Sequence, residues 1–161
     1  MINRPLTKLL KLFLMAALLV SCSHNKSHYY EFRELSQEGW AVNERCNFEA
    51  ELNDSVGGYN IYVDVRHQGN YPYQNLWLFV ERMSPDSAVV NDTIACDLAD
   101  YSGKWLGKGS GSVYLFSAPY AQFEIKAPGK YVIGIRHGMR DEVLKGISAI
   151  GLRIELQHGE E

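Results

Sequence analysis

The chain has 161 residues, 46% of them hydrophobic and 22% charged, with a formal net charge of −3. That length suits one domain with a proper core. The acidic balance excludes a nucleic-acid binder and a polybasic membrane-surface binder.

The first elements in chain order belong to export. Arg4, Lys8 and Lys11 precede Leu12–Val20, nine uninterrupted apolar residues. A spanning helix needs about 20, so residues 1–21 read as a secretory signal. Leu19-Val20-Ser21-Cys22 closes the run as a bacterial lipobox does, with small Ser21 before the cysteine. In proteins with this motif the cysteine sulfur takes a diacylglycerol, and the signal is cut before it. The freed amino group is then acylated by a fatty acid such as palmitate. Two or three acyl chains hold a protein stably on a bilayer, where one holds it only marginally. Cys22 is therefore the expected lipidation site and the first mature residue. The expected mature chain of 140 residues keeps thirteen basic residues against nineteen acidic ones, a formal −6. Residues 22–28 form a polar tether, 29–157 a single domain, and 158–161 a tail.

Beyond the tether the apolar period is two almost throughout. Tyr29–Leu35 reads as an edge strand, and Glu38-Gly39-Trp40 as a turn. Cys46, Phe48, Ala50 and Leu52 form one inward row, and Tyr59, Ile61, Val63 and Val65 the next. Leu76–Val80 is apolar on both faces, which predicts a central strand. Ser84-Pro85-Asp86-Ser87 turns the chain into a row of Val90, Ile94, Cys96 and Leu98, with Asp92 an exception. Asp100–Ser112 is irregular, and Val113–Phe116 is a short strand or a turn. Ala121, Phe123 and Ile125 follow, then Tyr131, Ile133, Ile135 and His137. Gly138–Gly146 is mixed, with room for one helical turn. Ile150, Leu152, Ile154 and Leu156 close the domain. About eight strands with regular turn signals and no amphipathic helix predict an all-β antiparallel sandwich, immunoglobulin-like or jelly-roll-like.

Cys46 and Cys96 would mature in an oxidising compartment, where a disulfide between them is allowed. The alternative is two buried free thiols acting as small hydrophobes, and spacing cannot choose, because the bond depends on Cα geometry.

The chemistry-bearing residues are few. Gly107-Lys108-Gly109-Ser110-Gly111 lacks the spacing and the following helix of a phosphate loop. No zinc-ligand spacing and no nucleophile elbow occur, so no metal, cofactor or catalytic residue is expected. Glu49, Glu51, Asp64 and Glu81 fall on polar strand faces and read as solvated surface rather than as a glycosidase pair. Tyr71 and Tyr73 either cap a strand end or grip a ligand. Trp105 is either a plug on the end of the sandwich or an exposed contact, and Lys108 lies beside it. Met139 and Arg140 form a candidate partner-binding loop.

Tyr71-Pro72-Tyr73-Gln74-Asn75-Leu76-Trp77, Asp97-Leu98-Ala99-Asp100, Gly103-Lys104-Trp105-Leu106-Gly107 and Gly151-Leu152-Arg153-Ile154-Glu155 follow the lipobox in order. Together these blocks resemble the gliding-motility lipoprotein family GldH of the Bacteroidetes. The chain departs from that pattern at His137-Gly138, where Gln-Ala is expected. The resemblance implies a non-enzymatic lipoprotein of the cell envelope, acting with other gliding-motility envelope proteins or in envelope assembly. The alternative is an envelope-held carbohydrate-binding module, with sugar stacked on Tyr71, Tyr73, Trp77 or Trp105. Surface-exported lipoproteins of this group carry acidic residues after the acylated cysteine. Ser23-His24-Asn25-Lys26 lacks them, which predicts a periplasm-facing domain on the outer or inner membrane.

Overall fold

The computed structural model describes residues 28–53, 58–124 and 127–157. The signal, Cys22, the tether up to residue 27, Ile125 and the 158–161 tail lie outside them. Eight long strands carry the domain: β1 (Tyr29–Glu34), β3 (Cys46–Leu52), β4 (Gly58–Gln68), β5 (Asn75–Met83), β6 (Val89–Asp97), β8 (Val113–Glu124), β9 (Gly129–His137) and β11 (Ile147–Leu156). Three short ones complete it: β2 (Trp40–Ala41), β7 (Lys108–Ser110) and β10 (Val143–Leu144). No helix occurs among the described residues.

A five-stranded sheet in the order β1-β11-β4-β8-β7 faces a four-stranded sheet in the order β3-β9-β5-β6. All pairings are antiparallel, and β5·β6, β4·β8, β3·β9 and β1·β11 nest within one another along the chain. One long antiparallel ribbon has thus been rolled into two layers, which is the jelly-roll topology. The immunoglobulin-like option is set aside.

Burial explains the register. On β3 the pattern alternates without a break, with Cys46, Phe48, Ala50 and Leu52 inside and Asn47, Glu49 and Glu51 outside. Shifting the strand by one residue would move all four apolar side chains into water. Each large one gains roughly 1.5–3 kcal/mol from burial, so the register is strongly held. Tyr59, Ile61, Val63 and Val65 of β4 meet this row from the other sheet, with Ile133, Ile135, Leu152 and Ile154 around them in the same core.

The structure departs from the sequence expectations at several places, among them Trp40, read as a turn residue, and Lys108–Ser110, read as irregular, both of which lie in short strands. Val113–Phe116 and Ala121–Phe123 belong to one strand, β8, which runs through Pro119. Proline is tolerated there because β7 pairs only with Val113–Leu115 and leaves that side of Pro119 free. Gly138–Gly146 holds no helical turn: Val143 and Leu144 pair with Ala41 and Trp40 instead. Burial of Trp40 and Leu144 outweighs a local preference for a turn. Strand β5 is central, as expected, but only its even residues are buried; Trp77 and Phe79 face solvent. Asp64, expected to be solvated, is 2% exposed. Finally, Cys46 and Cys96 are free buried thiols, not a disulfide. They sit on β3 and β6, opposite edges of the four-stranded sheet. Three strand spacings of about 4.8 Å separate those edges, far beyond disulfide reach. Burial pushes both thiols up to about 12.

Candidate functional site

The outer face of the four-stranded sheet holds an open groove of about 500 Å3. Strand β5 supplies its floor. Leu76, Leu78 and Val80 go to the core, so Trp77 and Phe79 must point the other way. The loop after β9 supplies one wall, with Met139, Arg140 and Asp141; Tyr73 closes the end and Thr93 of β6 lies on the far side.

That loop is pinned on three sides. His137 ends β9 fully buried, and its Nε2 lies 3.1 Å from the Trp40 carbonyl. A carbonyl only accepts, so Nε2 carries the proton. Burial holds the imidazole below its ordinary pKa, in the neutral form. Gly138 N–H donates to the Trp77 carbonyl (2.7 Å), and Val42 N–H donates to the Glu142 carbonyl (2.9 Å). Trp77 N–H in turn donates to Met139 Sδ at 3.5 Å. A Cβ at position 138 would lie 2.9 Å from the Phe79 ring, so the glycine is what lets the loop close over the aromatic floor.

The groove's polar groups differ in commitment. Tyr73 Oη donates to Asp141 Oδ2 at 2.8 Å. That bond raises the Tyr73 phenol above its usual pKa. The Arg136 guanidinium sits over the Phe79 ring, 5.0 Å from its centroid. Arg140 is exposed and makes no hydrogen bond, ion pair or ring contact with the described residues.

The residues singled out from sequence therefore separate. Tyr73, Met139 and Arg140 come together in the groove. Tyr71 does not join them: it is buried, donates to the Asn75 carbonyl (3.0 Å) and packs edge-on to Tyr73. Trp105 is a half-buried plug, edge-on to His67 with centroids 4.6 Å apart. Lys108 lies on β7 at the other sheet, in a separate depression with Tyr30 and Arg153. The glycines around it serve backbone approach, since a Cβ on Gly107 would come 2.8 Å from the Leu115 carbonyl. Asp100 accepts from Ser102 and Lys104 and so folds the preceding loop; the Ser102 hydroxyl is the main cause of its lowered pKa.

Sequence reasoning missed Phe79 and the pairing of Tyr73 with Asp141. Parity carried the signal for the first: two aromatics at odd positions of a strand with an apolar even row must lie on the opposite face. Nothing local marked the second, because 68 residues separate the partners. Among the described residues no cluster of three His, Cys, Asp or Glu side chains could hold a metal.

The chain resembles known proteins along nearly its whole length. The model of the GldH lipoprotein family matches residues 27–154. A gliding motility lipoprotein GldH homolog from Christiangramia forsetii is 30% identical over 152 residues, covering 89% of this chain and 93% of that protein. The gliding motility lipoprotein GldH of Flavobacterium johnsoniae is 31% identical over 151 residues, with the same coverage. Among solved structures, a family GH115 4-O-methyl-alpha-glucuronidase aligns with a TM-score of 0.45 at 9% identity. It covers 84% of this chain but only 18% of its own, and a likeness of that size says nothing about activity. The blocks read in the sequence, the matching family model and the two full-length relatives agree: the chain belongs to the GldH lipoprotein family.

Proposed function

We propose that this protein is a lipid-tethered docking module of the cell envelope that performs no chemistry. Its diacylglycerol sits on Cys22, its domain faces the periplasm from the outer or inner membrane, and its partners are other envelope proteins, gliding-motility lipoproteins among them. The groove supports this reading. It combines two half-exposed rings, a flexible thioether and an uncommitted arginine, the residue types enriched where proteins bind proteins. Its acids do not converge: Asp141 is occupied by Tyr73, and no second carboxylate among the described residues lines the pocket. General acid–base work would need a free, positioned pair.

A sugar-binding reading rests on Tyr73, Trp77 and Phe79, exposed by 37%, 43% and 38% around one groove. Against it, Arg136 covers Phe79 and the loop backbone crowds its edge, so that ring is not a free stacking platform.

Two experiments test the proposal. In the native cell, Cys22→Ser should move the protein from the membrane to the soluble envelope fraction, and protease added to intact cells should not digest the wild type. An unchanged membrane fraction, or digestion without breaking the envelope, would sink the tethering and orientation. For docking, crosslinks to envelope proteins from a photo-reactive residue at Trp77 should fall at least tenfold in Arg140→Glu. Soluble oligosaccharide competing away those crosslinks would favour the sugar reading instead.

A further inference from the structure

The four-stranded sheet has two open edges, and they are treated differently. At β3 the outward carbonyls are capped by side chains: Arg33 Nε donates to the Asn47 carbonyl (2.9 Å), and His28 Nε2 lies 3.1 Å from the Glu51 carbonyl. At β6 the outward groups are bare. Leu98 N–H donates to the Gln74 carbonyl (2.8 Å) and Ser84 N–H to the Ala88 carbonyl (2.9 Å), in register with the β5·β6 pair. Even residues of β6 therefore bond to β5. Val89, Asn91, Thr93 and Ala95 turn their N–H and C=O groups away from the sheet. None of these groups has a partner among the described residues.

Edge strands are normally blunted by lysine, proline, a bulge or short length. Strand β6 is nine residues long and contains neither lysine nor proline, and its pairing with β5 runs without a register shift. Asp92, charged and on the inner row, is engaged by Tyr120 Oη at 2.7 Å and leaves the edge accessible. The β7 side of the other sheet, next to β6, shows the usual devices: β7 has three residues, and where β8 is uncovered it carries Pro119 and a register shift beside it.

The open edge adjoins the groove. Thr93 lies directly across from Phe79, and Ala95 across from Trp77. Two small side chains are all that stands between the bare backbone and the two rings. A strand laid along β6 would put its own alternate side chains on this same face. It would meet two aromatics and two arginines, Arg136 and Arg140, that have no ion pair among the described residues.

We infer that β6 accepts an extended segment of a neighbouring envelope protein as an added strand, one of whose apolar side chains enters the Trp77–Phe79 groove beside a carboxylate held by Arg140. Bare donors and acceptors select an extended backbone, and the uncommitted guanidinium selects an acid. The inference rests on the docking role proposed above and specifies its geometry.

The test uses the full-length lipoprotein in its own cells. A benzophenone amino acid is placed at Asn91 or at Ala95, and adducts are mapped by mass spectrometry. Strand addition places the two adducts on one segment, four residues apart, with an acidic residue nearby. Thr93→Pro removes an outward N–H without removing a hydrogen bond to β5, and should lower adduct yield at least tenfold. Thr93→Val keeps that N–H and should not; Arg140→Glu should lower the yield as much as the proline. If Thr93→Pro melts more than a few degrees low, Asn91→Pro, with the crosslinker at Ala95, takes its place. Adducts on a second copy of this chain, on a glycan, or at positions of a partner without that spacing overturn the inference. A loss in Arg140→Glu without a loss in either proline variant overturns strand addition and leaves groove docking standing. No loss in any of them removes both.

Discussion

The outer faces of the two sheets are built from the same parts and finished differently. On the five-stranded sheet Arg66 lies 4.6 Å from the Phe32 ring centroid and pairs with Glu34 at 2.9 Å. Arg153 lies 4.1 Å from the Tyr62 centroid, reaches Asp64 at 3.4 Å, pairs with Glu155 and donates to the Ser117 hydroxyl at 2.9 Å. Ser117 also donates to Asp64. Each arginine on that face has both a ring and a carboxylate. On the four-stranded sheet Arg45 pairs with Glu81, but among the described residues Arg136 has a ring and no carboxylate, and Arg140 has neither. Arginine beside an aromatic is thus no sign of function by itself. What separates a structural face from a binding face is bonding capacity left unused.

The largest effect should come from breaking the finished face. Arg153→Ala leaves Asp64, a nearly buried carboxylate, with the Ser117 hydroxyl but no cation, and should cost about 3 kcal/mol of stability by urea denaturation. Arg140→Ala should change stability by less than about 0.5 kcal/mol in the same measurement, while abolishing crosslinks at the groove. Equal losses from the two would erase the distinction.

Next, Gly138→Ala should displace the Phe79 ring, because the new methyl meets it at 2.9 Å, at a cost of about 1 kcal/mol or less since that ring is half-exposed. Tryptophan fluorescence should report the change through nearby Trp77. A spectrum and a melt like the wild type would mean that the groove wall is not held as described.

The pH dependence compares the two sheets, His67 near the end of β4 in one and His137 at the end of β9 in the other. His137 and His67 are buried, and burial holds both below the ordinary imidazole range. Above about pH 6.5 both are neutral folded and unfolded, so they add no slope. As pH falls below that value the unfolded chain takes up protons first, and stability declines until the lowered folded pKa is reached. Urea melts between pH 7.5 and 5 should show this decline, and it should shrink in His137→Gln or His67→Gln.

The smallest effect is expected at Lys108. It is exposed on β7 and has no ion pair among the described residues, so Lys108→Ala should leave both the melt and the crosslink pattern unchanged. A change in crosslinking would move the binding face to the other sheet.

Much of the fold was legible along the chain because burial of one face imposes a period of two. Phe48 and Glu49, or Ile133 and Gly134, reveal their sides by neighbour chemistry alone. Half of the site was legible too: Tyr73, Met139 and Arg140 were picked out, and they do meet. Tyr71 looked like the equal of Tyr73 and is core. Phe79 looked like core and is surface, and Trp77, read both as part of a central strand and as a sugar contact, is surface too.

By itself the sequence determined the sandwich class and the inward rows, since both follow from the order of apolar and polar side chains within a few residues. Tertiary structure alone decided the jelly-roll pairing, the separation of Cys46 from Cys96, the capping of β3 and the bareness of β6. Those depend on which distant backbone groups and side chains are brought within about 3 Å of each other to bond. A pattern along one strand does not record which strand will lie beside it.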